Sequence, residues 1–220
     1  MGFYVIGGIA FIASMLVQWR LKTAYAVWGK VRNSQNMTGA EAAARILQAN
    51  GIRNVQVAPI PGKLTDHYDP RKKIVRLSEG NYGQRTVAAL GVAAHEVGHA
   101  MQDAQGYAPM QIRGKLVPVA SLGSSMAPYM IFGGMLLNAA GLITLGIVLF
   151  AAAVLFQFVT LPVEFDASRR AVAQLDSLGI VDPVEKAGVT RVLNAAGLTY
   201  VAAAATSFTY LLYFILASRR

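Results

Sequence analysis

The sequence predicts a mainly α-helical membrane protein, with about four transmembrane helices and a small α+β domain that includes a short β-hairpin. Three observations carry that prediction. Of 220 residues, 55% are hydrophobic and only 14% charged, with a mean hydropathy of +0.43, whereas soluble domains carry about 25% charged residues. Four apolar runs approach the roughly 17–25 residues needed to cross about 30 Å of hydrocarbon. Between them, residues 20–115 turn polar and show helix caps and strand-like alternation.

The elements follow in chain order. Residues 2–19, GFYVIGGIAFIASMLVQW, form the first span. Its charges, Arg20 and Lys22, follow rather than precede it, which predicts a retained anchor with its N-terminus outside and not a cleaved signal peptide. In the polar region, residues 38–50 (TGAEAAARILQAN) read as a helix with a Thr38/Glu41 capping box and a stop at Gly51. KLTDHYD and KKIVRLS, flanking a DPRKK turn, read as a β-hairpin, because Ile74, Val75 and Leu77 sit in a half-alternating strand. KIVRLS is also a candidate edge strand for pairing with an extended peptide. YGQRTVAALGVAAHEVGHAMQDAQG reads as a single helix ending near Gly106.

Residues 116–161 hold no Asp, Glu, Lys, Arg or His and are too long for one span. They predict a two-span hairpin turning near NAAG at 138–141, the first span made irregular by Pro118, Pro128 and Gly133-Gly134. Residues 162–198 form a helical region. VEFDASRRAVAQLDSLG stops at Gly179, and Asp182, Pro183 and Glu185 start the next helix. Residues 199–218 are the fourth span.

This topology puts 20–115 and 162–198 on one side of the membrane and both termini on the other. Arg20, Lys22, Arg113, Lys115, Arg169 and Arg170 all flank spans on the polar side, so the positive-inside rule assigns that side to the cytoplasm; Arg219 and Arg220 oppose it. The net charge of +9 comes from scattered residues, with no Arg-rich block or aromatic interleaving, which argues against a nucleic-acid partner. The lipid bilayer is the expected partner. Small-residue faces on the spans permit packing within one chain or between chains, so oligomeric state stays open.

With no cysteine and only three histidines (His67, His95 and His99), a metal must be held by nitrogen and oxygen. His95-Glu96-Val97-Gly98-His99 has the spacing H-E-x-x-H. On a helix, residues four apart share a face, so both imidazoles can reach one ion, with Glu96 beside them to take a proton from water at the metal. Zinc suits two nitrogens plus an oxygen with one open position. For the third ligand the candidates are His67 and the acids. Glu164 is best placed, at the start of a helix re-entering the polar side; Asp166 projects roughly 200° around that helix, so both cannot bind one ion. Asp103 is either solvated or positioned to orient a histidine. Two histidines on an Ala-rich helix could instead be ordinary core residues, but burying them with a carboxylate and no partner is costly.

LTDHYDPRKKIVRLS, GVAAHEVGHAMQ and LPVEFDASRRA, in this order and with these apolar runs, resemble the membrane neutral zinc metallopeptidase family of bacterial YugP-like proteins. The likeness covers most of the chain. It implies a zincin-like catalytic domain of gluzincin type, holding one Zn2+ ion through His95, His99 and Glu164, with Glu96 as general base. It implies a membrane-embedded endopeptidase of a prokaryotic cell membrane, acting on peptides or proteins, membrane proteins among them, at or near the membrane surface. The third-ligand helix of the related HtpX-type proteases often reads E-x-x-x-D; here the last position is Ser168, so Ser168 or Asp103 would have to orient a histidine by hydrogen bond. His67 and Tyr68 are the candidate catalytic donors to the oxyanion, with Tyr107 behind them. Two other readings compete. An intramembrane site-2-type protease needs a zinc helix that spans, and VAALGVAA is a short apolar lead-in. A non-catalytic zinc-binding membrane protein or transporter needs polar ligands along its spans, which carry almost none.

Overall fold

Helix α1 (Gly2–Trp28) continues well past the apolar run expected at 2–19 in the computed structural model, which describes residues 2–218. Arg219 and Arg220, which oppose the charge-based orientation, lie outside the described residues. Then come α2 (Gly39–Ala49), β1 (Gln56–Ile60), β2 (His67–Asp69), β3 (Ile74–Ser78) and α3 (Glu79–Gly83). Next are α4 (Val87–Ala104), α5 (Ala108–Leu136), α6 (Ala140–Ser177) and α7 (Pro183–Ala217). Among the described residues, four helices are long and apolar enough to cross a membrane, namely Tyr4–Trp28, α5, α6 and α7; α4 is not one of them. The chain is a mainly α multi-pass membrane protein with a small α+β domain.

The chain divides into two compact units. One comprises the described residues within Met1–Val17, Ala108–Pro162 and Leu198–Arg220. Here α5 and the first part of α6 pack through small residues. A Cβ on Gly123 would lie 2.2 Å from the Leu149 carbonyl oxygen, and one on Gly146 would lie 3.0 Å from the Ile131 nitrogen. Such close backbone approach is how helices associate without a hydrophobic driving force between them. Edge-to-face rings (Phe158 with Phe208, Phe132 and Phe150 with Phe214) fill the remaining space. The tight turn falls at residues 137–139, with Asn138 at φ +52°. Asparagine is among the few residues that adopt this left-handed geometry readily. Both prolines expected to disturb the first span lie inside α5 without ending it.

The other unit comprises Gln18–Tyr107 and Val163–Gly197. The expected capping box of α2 is present: Thr38 Oγ1 accepts from the Glu41 amide at 3.1 Å, and Glu41 Oε2 accepts from the Thr38 amide at 2.7 Å. The backbone bond holds the Glu41 carboxyl below its ordinary value. The hairpin forms as β2 antiparallel to β3, pairing Tyr68 with Val75. A third strand, β1, lies parallel on the far side of β3. It is not among the predicted strands; the Pro59 within it is tolerated because β1 lies at the sheet edge. The order β1-β3-β2 therefore corrects the edge-strand expectation for KIVRLS: β3 is central and paired on both sides.

The single helix expected over 82–106 is two. Thr86, extended and accepting from the Ala89 amide, caps a new start at α4. Conversely, α6 and α7 each join a span to a polar helix without a break: Pro162 lies inside α6 without ending it, and the stop falls at Gly179 (φ +60°). Asp182 caps α7 as expected, its carboxylate accepting from Val184 and Glu185 amides at 2.8 Å. Ile46, Val75, Leu77, Leu90, Val97 and Leu175 are fully buried and form the core.

Candidate metal centre

α4 presents His95 and His99 on one face, one turn apart, and their rings meet edge to face with centroids 4.7 Å apart. Both rings turn Nδ1 away from each other's partner. His95 Nδ1 lies 3.1 Å from Ser168 Oγ, and His99 Nδ1 lies 3.0 Å from Gln102 Oε1. Both Nε2 atoms are left facing Glu164: Oε2 is 3.3 Å from that of His95 and 3.7 Å from that of His99. Among the described residues, these three form the group that could hold a metal ion, with donor atoms all within 4.8 Å of one another.

The spacing is compatible with an ion: bonds of about 2.0–2.1 Å in a tetrahedral site set ligand atoms about 3.3 Å apart, against 3.3 Å for His95–Glu164 and 3.7 Å for His99–Glu164. Two imidazoles and a carboxylate, with no thiolate and no carbonyl cage, form a donor set that fits zinc better than calcium or magnesium.

Glu164 reaches this place because α6 lies against α4 with almost nothing between the backbones. A Cβ on Gly98 would sit 2.6 Å from the Ala167 carbonyl oxygen. Val163, Ala167 and Ala171, four apart on α6, are all buried and make a flat small-residue face. Glycine between the two histidines thus has a packing function, and Ala167 is one turn beyond Glu164.

The site is strongly electrostatic. Burial on its own would depress the His99 imidazole, but the Glu164 carboxylate and the charge of Glu96 outweigh it and raise the group above its ordinary value. A proton there occupies the lone pair a metal needs, so metal binding must displace it. Glu96 is also buried, and among the described residues its carboxylate has no hydrogen-bond or ion-pair partner.

Of the remaining candidates, His67 is exposed, with Nδ1 2.8 Å from the Thr65 carbonyl, and it is not among the three clustered donors. Tyr68 is buried and donates to Asp103 Oδ2 at 2.6 Å, an oxygen that Lys73 Nζ also contacts at 2.5 Å. Burial first, and the Asp103 bond and charge next, push the phenol well above its ordinary value, so it remains a donor. Tyr107 carries the Arg170 guanidinium 5.7 Å over its ring. Asp166 points away from the cluster, ion-paired with Arg169 and Arg170.

Gln102 went unremarked in the sequence. It bonds His99, the Val163 carbonyl and Asp166 at once. The available signal was its spacing, three residues after His99 and so on the same helical face. Ser168, flagged as the substitute for an aspartate, does contact His95.

Known proteins resemble the chain over most of its length. A family model described as "Putative neutral zinc metallopeptidase" matches residues 3–219. The chain is 49% identical over 203 residues to "Putative membrane protease YugP" of Bacillus subtilis (strain 168), covering 92% of this chain and 90% of that protein. No solved structure matches.

Proposed function

The chain belongs to the neutral zinc metallopeptidase family, and from that membership we propose that it is a membrane-bound zinc-dependent endopeptidase hydrolysing peptide bonds at or near the membrane surface. The observation that carries the reading is the convergence of His95, His99 and Glu164, whose donor atoms lie within 4.8 Å of one another. These residues would hold one ion. Zinc, when bound, supplies a Lewis acid that polarises the scissile carbonyl and lowers the pKa of water toward about 7.

Glu96 is the general base. Its carboxylate has no hydrogen-bond or ion-pair partner among the described residues, adjoins the first histidine and can take the proton of the attacking water, then deliver it to the leaving amine nitrogen. Ser168 and Gln102 hold the outward nitrogens of the two histidines, which keeps both rings turned toward Glu164. For the oxyanion, Tyr68 keeps its proton but its O–H is engaged in a hydrogen bond to Asp103, and His67 is turned to Thr65. A role for either requires that contact to open when substrate arrives. A peptide or protein, membrane proteins included, is the substrate class.

Glu164→Ala tests the reading. The purified protein in detergent should bind one zinc per chain, and the variant should lose most of it while remaining folded. Equal zinc content in the two would remove Glu164 from the metal. We further place the polar unit on the cytoplasmic face of the cell membrane, because the basic residues flanking the spans lie on its side. The chain has no cysteine, so Lys63→Cys gives a single label: it should be shielded from an impermeant thiol reagent in intact cells. Labelling without permeabilisation would reverse the orientation.

A further inference from the structure

Gln102 is fully buried and lies outside the H-E-x-x-H pattern. Its side-chain nitrogen is 2.8 Å from the Val163 carbonyl oxygen and 3.0 Å from Asp166 Oδ2, while its oxygen is 3.0 Å from His99 Nδ1. A backbone carbonyl only accepts, and so does a carboxylate ion-paired with two arginines. The amide nitrogen must therefore face both, since turning the group over would set its oxygen against two acceptors. Orientation is decided by the partners. The amide oxygen in turn can only accept, so His99 Nδ1 must carry a proton, and in the neutral ring Nε2 keeps its lone pair.

His95 has no such lock. The Ser168 hydroxyl at 3.1 Å can donate or accept, and so is compatible with either tautomer. The two histidines are thus held by unequal devices, one specifying and one permissive.

We propose that Gln102 is a positioning residue that locks His99 in the Nδ1–H tautomer and so presents Nε2 to the zinc, with Asp166, gripped by Arg169 and Arg170, setting the amide the right way round. The inference rests on the zinc-site reading above. A buried amide does this work without a charge of its own, so ring orientation and tautomer are fixed while the charge at the site stays with Glu164 and Glu96. It also ties the second histidine to the helix that carries the third ligand, because Val163 and Asp166 flank Glu164 in sequence.

Two measurements test this on the full-length protein in detergent. The first is 15N NMR of the imidazoles in metal-free protein labelled at histidine, at a pH where the rings are neutral; only three histidines need assignment. His99 should be the Nδ1–H tautomer in the wild type, the opposite of the form that free imidazole side chains favour in water. A wild-type His99 in the Nε2–H form would overturn the proposal, and this readout needs no variant to fold. The second is zinc affinity by chelator competition. Gln102→Met keeps the length and loses all three bonds; it should weaken zinc by about 10- to 100-fold and mix the His99 tautomers. Ser168→Ala should cost less. Unchanged affinity in Gln102→Met would also overturn the proposal. Failure of the wild type to bind zinc would instead count against the functional reading, and the tautomer of metal-free His99 still decides this inference.

Discussion

Replacing Glu96 by glutamine should leave the zinc content at the wild-type level and lower peptide hydrolysis by about 10²- to 10⁴-fold, the range that a positioned general base contributes. The reasons are separable. His95, His99 and Glu164 supply the clustered donors, and Glu96 is not among them. Glutamine has the same shape but cannot accept the proton of the attacking water. Because Glu96 has no partner in the protein among the described residues, its replacement leaves no orphaned donor behind. Metal analysis beside a peptide-cleavage assay in detergent checks both halves. Cleavage at the normal rate would end the general-base assignment, and loss of zinc would show that Glu96 helps to hold the ion. The same pair of proteins, wild type and variant, compared for the peptides they release from membranes, would identify substrates.

The second large effect is expected from a single methyl group. Gly98→Ala should destabilise the protein by about 1–3 kcal/mol and sharply reduce zinc affinity. An ordinary Gly→Ala change inside a helix stabilises by about 0.8–1.0 kcal/mol through propensity. Here the added Cβ would stand 2.6 Å from the Ala167 carbonyl oxygen and 3.1 Å from its Cα, and backbone atoms cannot rotate aside. α4 and α6 would have to part, and Glu164 sits one turn from the point of contact. Gly91→Ala is the comparison. Its Cβ would meet only the Val189 side chain, at 3.2 Å, and a methyl group can give way by a few tenths of an ångström. Thermal unfolding and zinc titration of the two variants measure the contrast. A Gly98→Ala protein as stable and as zinc-loaded as Gly91→Ala would show that the helices tolerate separation.

Much of the fold could be read from the chain because the signals were local. The Thr38/Glu41 box, the Asp182 cap, the Gly179 stop and the four apolar runs each involve residues a few positions apart, and each appears in the structure. Elements were misread where a local rule has a tertiary exception. β1 was not predicted, and the Pro59 within it is permitted because β1 lies at a sheet edge. Thr86 divided a helix that hydropathy had joined. α6 and α7 pass from apolar to polar without a break because the helix itself satisfies its backbone in either setting, and composition marks no boundary that the hydrogen bonds obey.

The sequence by itself determined the donor types, since a chain without cysteine and with three histidines can offer a metal only nitrogen and oxygen. It also determined that His95 and His99 share a face, a consequence of helical periodicity alone. Tertiary structure decided the rest. Glu164 stands 65 residues beyond His99, and the packing of α6 on α4, closest at Gly98–Ala167, brings its oxygen within 3.7 Å of that ring. The Gln102–Asp166 link likewise joins two helices. Periodicity fixes neighbours on one helix; which helices meet, and how closely, depends on residue size at the contact, and that becomes visible only once both surfaces are in place.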